Sequence, residues 1–328
     1  MNKDIIVFDI GGTWFRSGIY TKKRLISLTK EPAINFKNTS FKNNQELQKK
    51  LVTYINKQVT LLRRIHPKKE LYTIGISMGA ALNAHTGYIL NSGPLWGPTS
   101  APFDLIKILS ENIPNTSIHI INDVSAALLR EVGEIGNKSF SKVMLITVST
   151  GIACRIFDMD KGIIPVDKIH GIQGEIGHLP IRFTYKRKDI TLVCDCGSKN
   201  HLNAFSSGRG IEKLIQLEKK SASFSDLVKD LEQDRKFAKK IVDVVTKPIA
   251  ELLLIIFTIN PEIEKVIFTG GVTHSLKKHY LSSILYHLDK IGMYQVTIKD
   301  RNFFKKRIFI GRDDDKSGLI GAALNTKL

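Results

Sequence analysis

An apolar strand, a tight turn of small residues and an apolar return strand occur twice in this sequence, and that repetition limits the fold more than any other feature. The first copy is Asp4 to Ile10, the turn Gly11-Gly12, and Trp14 to Tyr20. The second is Val143 to Val148, the turn Ser149-Thr150-Gly151, and Ile152 to Phe157. Runs rich in Val, Ile and Phe around a short small-residue turn predict β-hairpins. A third unit, Val266 to Thr269 followed by Gly270-Gly271, runs instead into a helix expected from His274. Such recurrence predicts two halves built on one plan.

Further strands are expected at Tyr72 to Ile76 and Ser117 to Ile121, the latter leading through Asn122-Asp123 into a helix over Val124 to Val132. Helical periodicity marks Gln45 to Ile65, with Leu47, Leu51, Tyr54, Ile55, Leu62 and Ile65 as its buried stripe. The second half turns helical at Gly210 to Lys219, Phe224 to Leu231 and Arg235 to Ile259, where Pro248 is expected to kink the segment. The basic, then acidic, stretch Arg301 to Asp315 precedes a closing helix, Gly318 to Leu324. Interleaved strands and helices define an α/β class, and the lack of a Pro-rich or Gly/Ser-rich linker predicts packed domains.

With 328 residues, 42% hydrophobic and 24% charged, the chain can bury a large core. No apolar run approaches the roughly 20 residues of a bilayer-crossing helix, and Asp4 and Asp9 interrupt the first candidate signal segment. A cytoplasmic location without a membrane partner is expected. The net charge of +18 raises nucleic acid as a partner. Yet 36 of the 49 basic residues are Lys, which suits base reading less well than Arg, and thirteen of the 49 crowd between Lys22 and Lys69. A solvated Lys-rich face explains this better than a nucleic-acid site.

Three segments could carry chemistry. Asp9-Ile10-Gly11-Gly12-Thr13 ends a strand in a turn whose backbone N–H groups can approach phosphate oxygens, while Asp9 could hold a cation or its water. Neither a Walker P-loop nor a dinucleotide glycine fingerprint is present. Asn122-Asp123 stands at a strand's carboxyl end, where Asp123 could accept the proton of an attacking hydroxyl or simply cap the helix. Gly174-Glu175-Ile176-Gly177-His178 is followed by Cys194-Asp195-Cys196-Gly197 and His201; two Cys and two His suggest a tetrahedral zinc site, although Cys-x-Cys is tighter than the usual spacing. With so few cysteines there is no disulfide framework, and Cys154 reads as a small buried residue.

Together these pieces resemble the ROK family of sugar kinases and sugar-responsive repressors. Asp9 to Thr13 matches DxGGT, and Ser149 to Gly151 stands where the second phosphate motif is usually Gly-Thr-Gly. Gly171 to His178 matches the ExGH signature, Cys194 to Gly208 aligns with CxCGxxGCLExxxSG, and Thr269 to Val272 and Gly318 to Ala323 match the adenosine-side and closing segments. The resemblance implies a two-domain actin-like ATPase (ribonuclease H-like) fold with a cleft between domains. It implies a small domain over residues 1–121 plus 312–328 and a large one over 122–311, with a zinc loop and dimerisation helices.

By the same resemblance, Asp9, Gly11, Gly12, Thr13, Thr150, Gly151, Gly270 and Gly271 bind ATP with Mg²⁺, and Asp123 is the general base. Gly79, Asn122, Asp123, Glu175, His178 and Asn203 bind the sugar. His178, Cys194, Cys196 and His201 hold a structural Zn²⁺, and the protein is a homodimer. This chain has His201 at the family's third zinc Cys, Asn203 at its sugar-contacting Glu, Gly93 at the Asn of its Asn-Leu-Pro region, and Ala153-Cys154 for a Gly pair. The expected activity is ATP-dependent phosphorylation of a primary hydroxyl of a hexose or hexose-like ring. Glucose is the default, and an amino sugar or cyclitol is the alternative. A regulator would need a DNA-reading helix before Asp9, and a non-catalytic binder is the remaining alternative.

Overall fold

Both apolar hairpins form in the computed structural model, which describes residues 4–67, 71–97, 99–136, 140–167 and 169–327. The principal elements are, in chain order, β1 (Ile5–Ile10), β2 (Trp14–Thr21), β3 (Arg24–Pro32), α1 (Asn44–Ile65), β4 (Tyr72–Met78), β5 (Thr116–Asn122), α2 (Asp123–Ile135), β6 (Lys142–Val148) and β7 (Ile152–Asp158). They continue with α3 (Gly208–Gln216), α4 (Phe224–Glu232), α5 (Lys236–Ile259), β8 (Ile263–Thr269), α6 (Gly271–Ile291), β9 (Ile308–Ile310) and α7 (Ser317–Asn325). The chain divides into unit 1 (Met1–Asn137, Ile164–Gln173, Asp314–Leu328) and unit 2 (Lys138–Ile163, Gly174–Asp313).

Unit 1 is built on a five-stranded sheet of order β3-β2-β1-β4-β5, in which β1 runs parallel to β4 and β4 to β5. β1 is apolar except at Asp9 because both its faces are covered. Ile6, Phe8 and Ile10 pack with the Leu47, Leu51 and Ile55 face of α1, while Ile5 and Val7 pack with Leu319 and Ala323 of α7. The α1 stripe is as the periodicity predicts except at Ile65, which is 59% exposed at the helix end.

The division differs from the expected one at residue 121: α2 belongs to unit 1. It packs on α7 so closely that a Cβ on Gly321 would lie 1.9 Å from the Ala126 carbonyl oxygen, a contact only glycine allows. Arg130 of α2 reinforces the packing, its Nη2 donating to Asp314 Oδ2 at 2.6 Å and its Nη1 to Ser317 Oγ at 2.8 Å. Residues 164–173 also return to unit 1, where Gly171 lies directly against the Leu82 carbonyl.

Unit 2 carries a four-stranded sheet of order β9-β8-β6-β7, with β6 and β7 forming the second hairpin and β8 parallel to both β6 and β9. Its core joins Met144, Ile146 and Phe268 of the sheet to Ile211, Val245, Leu253 and Tyr280 of the helices. Pro248 is buried inside α5, and the helix runs on through it to Ile259. α6 starts at Gly271 rather than His274 and breaks its helical geometry at Lys277, where φ is 44°. The stretch 301–315 supplies β9, a strand too short for periodicity to mark.

Among the described residues, no helix is long and apolar enough to cross a membrane. Lys22, Lys23, Lys30, Lys37, Lys42, Lys49 and Lys57 are exposed, whereas Lys68 and Lys69 lie outside the described residues.

Candidate active site

Three parallel strands of unit 1 end side by side, and the turns that follow them bring most of its expected site residues together. β1 carries Asp9 near its end and leads into Gly11-Gly12-Thr13. The Gly11 N–H donates to the Trp14 carbonyl at 3.1 Å, closing the turn, and Asn35 Nδ2 donates to the Gly12 carbonyl at 2.8 Å. A Cβ on Gly12 would lie 2.7 Å from Pro94 Cβ, so the turn needs glycine there, whereas nothing lies within 4 Å of a Cβ on Gly93. β4 leads into Gly79, whose N–H donates to the Ile10 carbonyl at 3.1 Å and whose carbonyl accepts the buried Ser92 hydroxyl at 2.7 Å. A Cβ on Gly79 would stand 3.4 Å from Asp123 Oδ2, which places the carboxylate over this turn.

β5 ends at Asn122, and this residue rather than Asp123 caps α2. Asn122 Oδ1 accepts the N–H groups of Val124 at 3.0 Å and Ser125 at 3.3 Å, and its Nδ2 donates to the Ala80 carbonyl at 3.1 Å. The amide is thus largely committed to the protein, with one N–H left for a ligand. Asp123 is the first helical residue and is half-buried.

Asp9 is enclosed. Its Oδ1 accepts the Ser77 hydroxyl at 3.1 Å, Arg16 Nη1 lies 3.1 Å from its Oδ2, and a Cβ on Gly318 would lie 2.2 Å from Oδ1. Burial pushes the Asp9 carboxyl above the usual carboxylate range, outweighing the downward pull of Arg16 and Ser77. Each oxygen retains a lone pair after these bonds, so the carboxylate can still hold a metal-bound water. Sequence reasoning missed Arg16, Asn35 and Ser77; the only mark of Arg16 was a charged residue within an apolar strand.

Unit 2 holds the other expected residues. In the Ser149-Thr150-Gly151 turn, the Ser149 N–H donates to the Gly151 carbonyl at 2.8 Å, and Thr150 is exposed. Both ends of the turn are pinned to one segment: the Gly208 N–H donates to the Ser149 carbonyl at 2.7 Å, and the Ile152 N–H donates to Asn203 Oδ1 at 2.7 Å. Gly270 has φ 98°, and a Cβ there would lie 2.5 Å from the Val148 carbonyl oxygen. Gly271 opens α6 with nothing within 4 Å of a Cβ.

The 174–178 loop lies along β7. The Cys154 N–H donates to the Gly174 carbonyl at 2.8 Å, and a Cβ on Gly177 would meet Asn203 Oδ1 and the Ile152 carbonyl oxygen, each at 2.3 Å. Glu175 is half-exposed, and its Oε1 lies 3.5 Å from Nη1 of the buried Arg155, a further residue that sequence reasoning missed. Burial pushes the Cys154 thiol up to about 12, so it stays a neutral packing group.

His178, Cys194, Cys196 and His201 converge, their ligand atoms all within 4.8 Å of one another. A tetrahedral zinc site with ordinary Zn–S and Zn–N bonds needs about 3.3 to 3.8 Å between donors, so small shifts suffice. His178 Nδ1 and His201 Nδ1 are 3.4 Å apart, and Cys196 Sγ and His201 Nδ1 3.2 Å. The Ser198 backbone N–H is the chief cause that lowers the Cys196 thiol to about 6, while burial raises Cys194. Two sulfurs and two imidazoles suit zinc, and the donor set fits.

Two α/β units, each with a glycine-containing turn in a strand hairpin, and the likeness to a solved hexokinase place the chain in the class of actin-like folds. Within that class the chain belongs to the ROK family, whose model matches residues 5–327. A curated relative, the 2-epi-5-epi-valiolone 7-kinase of an Actinoplanes species, is 34% identical over 268 residues, 76% of this chain and 74% of its own. The C(7)-cyclitol 7-kinase of Streptomyces hygroscopicus subsp. limoneus is 23% identical over 97% of this chain and 92% of its own. The structure of the ROK hexokinase from Thermus thermophilus superposes with a TM-score of 0.73 at 20% identity, covering 98% of this chain and 97% of that one.

Proposed function

We propose that this chain is an ATP-dependent kinase that phosphorylates the exocyclic primary hydroxyl of a six-membered polyhydroxylated ring, a C7 cyclitol in preference to glucose. The observation that carries the reaction type is the placement of Asp123 over the Gly79 turn, on the same unit as the Gly11-Gly12-Thr13 turn, in a chain of the ROK family. The relative at 34% identity is named a 2-epi-5-epi-valiolone 7-kinase and the one at 23% identity a C(7)-cyclitol 7-kinase, which supports the choice of acceptor.

In this reading Asp123 accepts the proton of the acceptor hydroxyl as its oxygen attacks the γ-phosphorus. The bond to the bridging oxygen breaks, and ADP leaves with the electron pair. Gly79 lets the acceptor approach that carboxylate without side-chain bulk, and Asn122 offers its remaining N–H to a ring oxygen. On unit 1, Gly11, Gly12 and Thr13 donate to phosphate oxygens. On unit 2, Thr150 and Gly151 do so, with Gly270 and Gly271 against the adenosine. Mg²⁺ bound with the nucleotide neutralises phosphate charge, and Asp9 holds one of its waters. Glu175 accepts from ring hydroxyls, and the ring N–H that His178 keeps when its other nitrogen is on zinc donates to a ring oxygen. Zinc on His178, Cys194, Cys196 and His201 supplies folding free energy that fixes the loop presenting them. The protein is a cytoplasmic homodimer without a nucleic-acid partner.

A coupled ADP-release assay across hexoses, N-acetylhexosamines and C7 cyclitols tests this, with Asp123→Asn as control. Turnover is expected with a cyclitol and should fall away in the variant. If no acceptor gives Asp123-dependent turnover, the reading is wrong.

A further inference from the structure

Around the Gly11-Gly12-Thr13 turn of unit 1 the backbone acceptors are taken and two donors are left. The carbonyls of Ile10, Gly12 and Thr13 accept, in that order, the Gly79 N–H at 3.1 Å, Asn35 Nδ2 at 2.8 Å and the Ala33 N–H at 3.0 Å. Among the described residues, the N–H groups of Gly12 and Thr13 have no partner. Two successive backbone donors with the neighbouring carbonyls turned aside suit an anion. Of the three groups that hold those carbonyls, only Asn35 is a side chain, and it is 6% exposed in the segment between β3 and α1. Its Oδ1 accepts the N–H groups of Lys37 at 2.8 Å and Asn38 at 3.0 Å, and its own N–H donates to Asn38 Oδ1 at 3.2 Å. Two backbone donors on one end of the amide fix that end as oxygen, so the end that faces the Gly12 carbonyl is the nitrogen. The Phe36 N–H donates to the Leu95 carbonyl at 2.8 Å, which anchors the segment in turn.

We infer that Asn35 is a positioning residue for the nucleotide: by clamping the Gly12 carbonyl it presets the Gly12–Thr13 peptide with its N–H aimed at a phosphate oxygen. The inference rests on the kinase reading above and adds the residue that aims one of its donors. The Gly12–Thr13 peptide is trans, so its carbonyl and its N–H point in opposite directions. Holding the carbonyl towards Asn35 therefore holds the Thr13 N–H away from it, and Thr13 is exposed. Gly12 has no side chain to bias this peptide, so without Asn35 the peptide is free to rotate and to present its carbonyl instead. A carbonyl there would repel a phosphate, whereas a donor held in advance needs no reorganisation when the phosphate arrives.

Titration calorimetry on the full chain tests this, with a non-hydrolysable ATP analogue and Mg²⁺ in one series and adenosine alone in another. Asn35→Ala should weaken the analogue about 10- to 100-fold and leave adenosine unchanged, because only the phosphates lose a donor. Asn35→Asp keeps an oxygen for the N–H groups of Lys37 and Asn38, so the segment stays folded, and sets an acceptor against the Gly12 carbonyl. It should weaken the analogue at least as much. Agreement between a neutral and a charged replacement excludes simple repulsion of ATP as the cause. Asn38→Ala loosens the same segment without reaching the turn, and should bind the analogue as the native chain does. Native-like binding of the analogue by Asn35→Ala, equal losses of analogue and adenosine, or the same loss in Asn38→Ala would overturn the inference. Binding is measured with no acceptor present, so none of these outcomes touches the kinase reading, which stands or falls on Asp123-dependent turnover by the native chain.

Discussion

Asp9 and Arg16 face each other across the first hairpin as register partners, with Arg16 Nη1 3.1 Å from Asp9 Oδ2 and Arg16 Nη2 3.0 Å from Asp315 Oδ1. The guanidinium thereby links the carboxylate ahead of the Gly11-Gly12-Thr13 turn to the segment that opens α7. Its attraction does not cover the cost of burying Asp9, whose carboxyl is raised.

A group with a raised carboxyl pKa binds its proton more tightly when folded, so its ionisation weakens the fold. The stability of the native protein relative to Asp9→Asn should fall as pH rises through the ordinary carboxylate value of 3.8 towards the raised folded value, and stay flat above it. Urea denaturation of both proteins between pH 4 and 7 measures this difference. Asp9→Asn should be as stable as the native protein or more so at pH 7, yet poorly active. A stability difference that does not vary with pH would show that Arg16 and Ser77 compensate the burial fully.

Asn122 and Asp123 are adjacent but should separate cleanly on mutation. Asn122 Oδ1 caps α2 through two backbone N–H groups, so Asn122→Ala should cost about 1 kcal/mol of stability. Asp123→Asn retains the helix and its cap, and should lower kcat by about 10² to 10⁴ with little change in melting temperature. Equal losses of stability in the two variants would argue that Asp123 is structural.

The motifs legible in the sequence were those whose chemistry is local. The turn Gly11 to Thr13 needs small residues in consecutive positions, and the paired Cys and His were visible by type. The helix pattern of α1 showed its buried face because a stripe repeats through six turns. What stayed hidden depended on partners distant in sequence. Asn35 supports Gly12 from 23 residues away, and Arg155 reaches Glu175 from a neighbouring strand. The assignment of α2 to unit 1 depends on Gly321 meeting Ala126, a contact between segments that nothing in either segment announces. The carbonyl of Asn203 was open in the sequence as donor or acceptor, and only the Ile152 N–H decides it.

Protein purified without chelator should contain about one zinc per chain. His201→Ala should lose the metal and several degrees of melting temperature, whereas His201→Cys should keep both, because a thiolate is an equivalent donor. The distances from His201 Nδ1 to Cys196 Sγ and His178 Nδ1 place the ring within the cluster. Metal analysis and thermal melts with and without EDTA provide the readout; metal-free protein indifferent to EDTA would remove the site.

Arg155 should govern the acceptor through Glu175. Its side chain is 4% exposed and that of Glu175 47%, so the guanidinium is the fixed partner and the carboxylate the one that it orients. Nη1 also donates to the Cys154 carbonyl at 2.9 Å, which holds the group in place along β7. Replacing it by methionine, close in volume, removes the charge without opening a large cavity. With its anchor gone, Glu175 samples several rotamers, and an ordered acceptor contact becomes an entropic cost. Arg155→Met should therefore raise the KM for the acceptor about 10-fold, the worth of one charge-assisted hydrogen bond. The KM for ATP should stay the same, since the turn 149–151 is held by Asn203 and Gly208 rather than by Arg155. Steady-state kinetics with each substrate varied in turn separates the two constants. A variant that loses affinity for ATP and acceptor alike would mean that Arg155 supports β7 as a whole and does not act through Glu175.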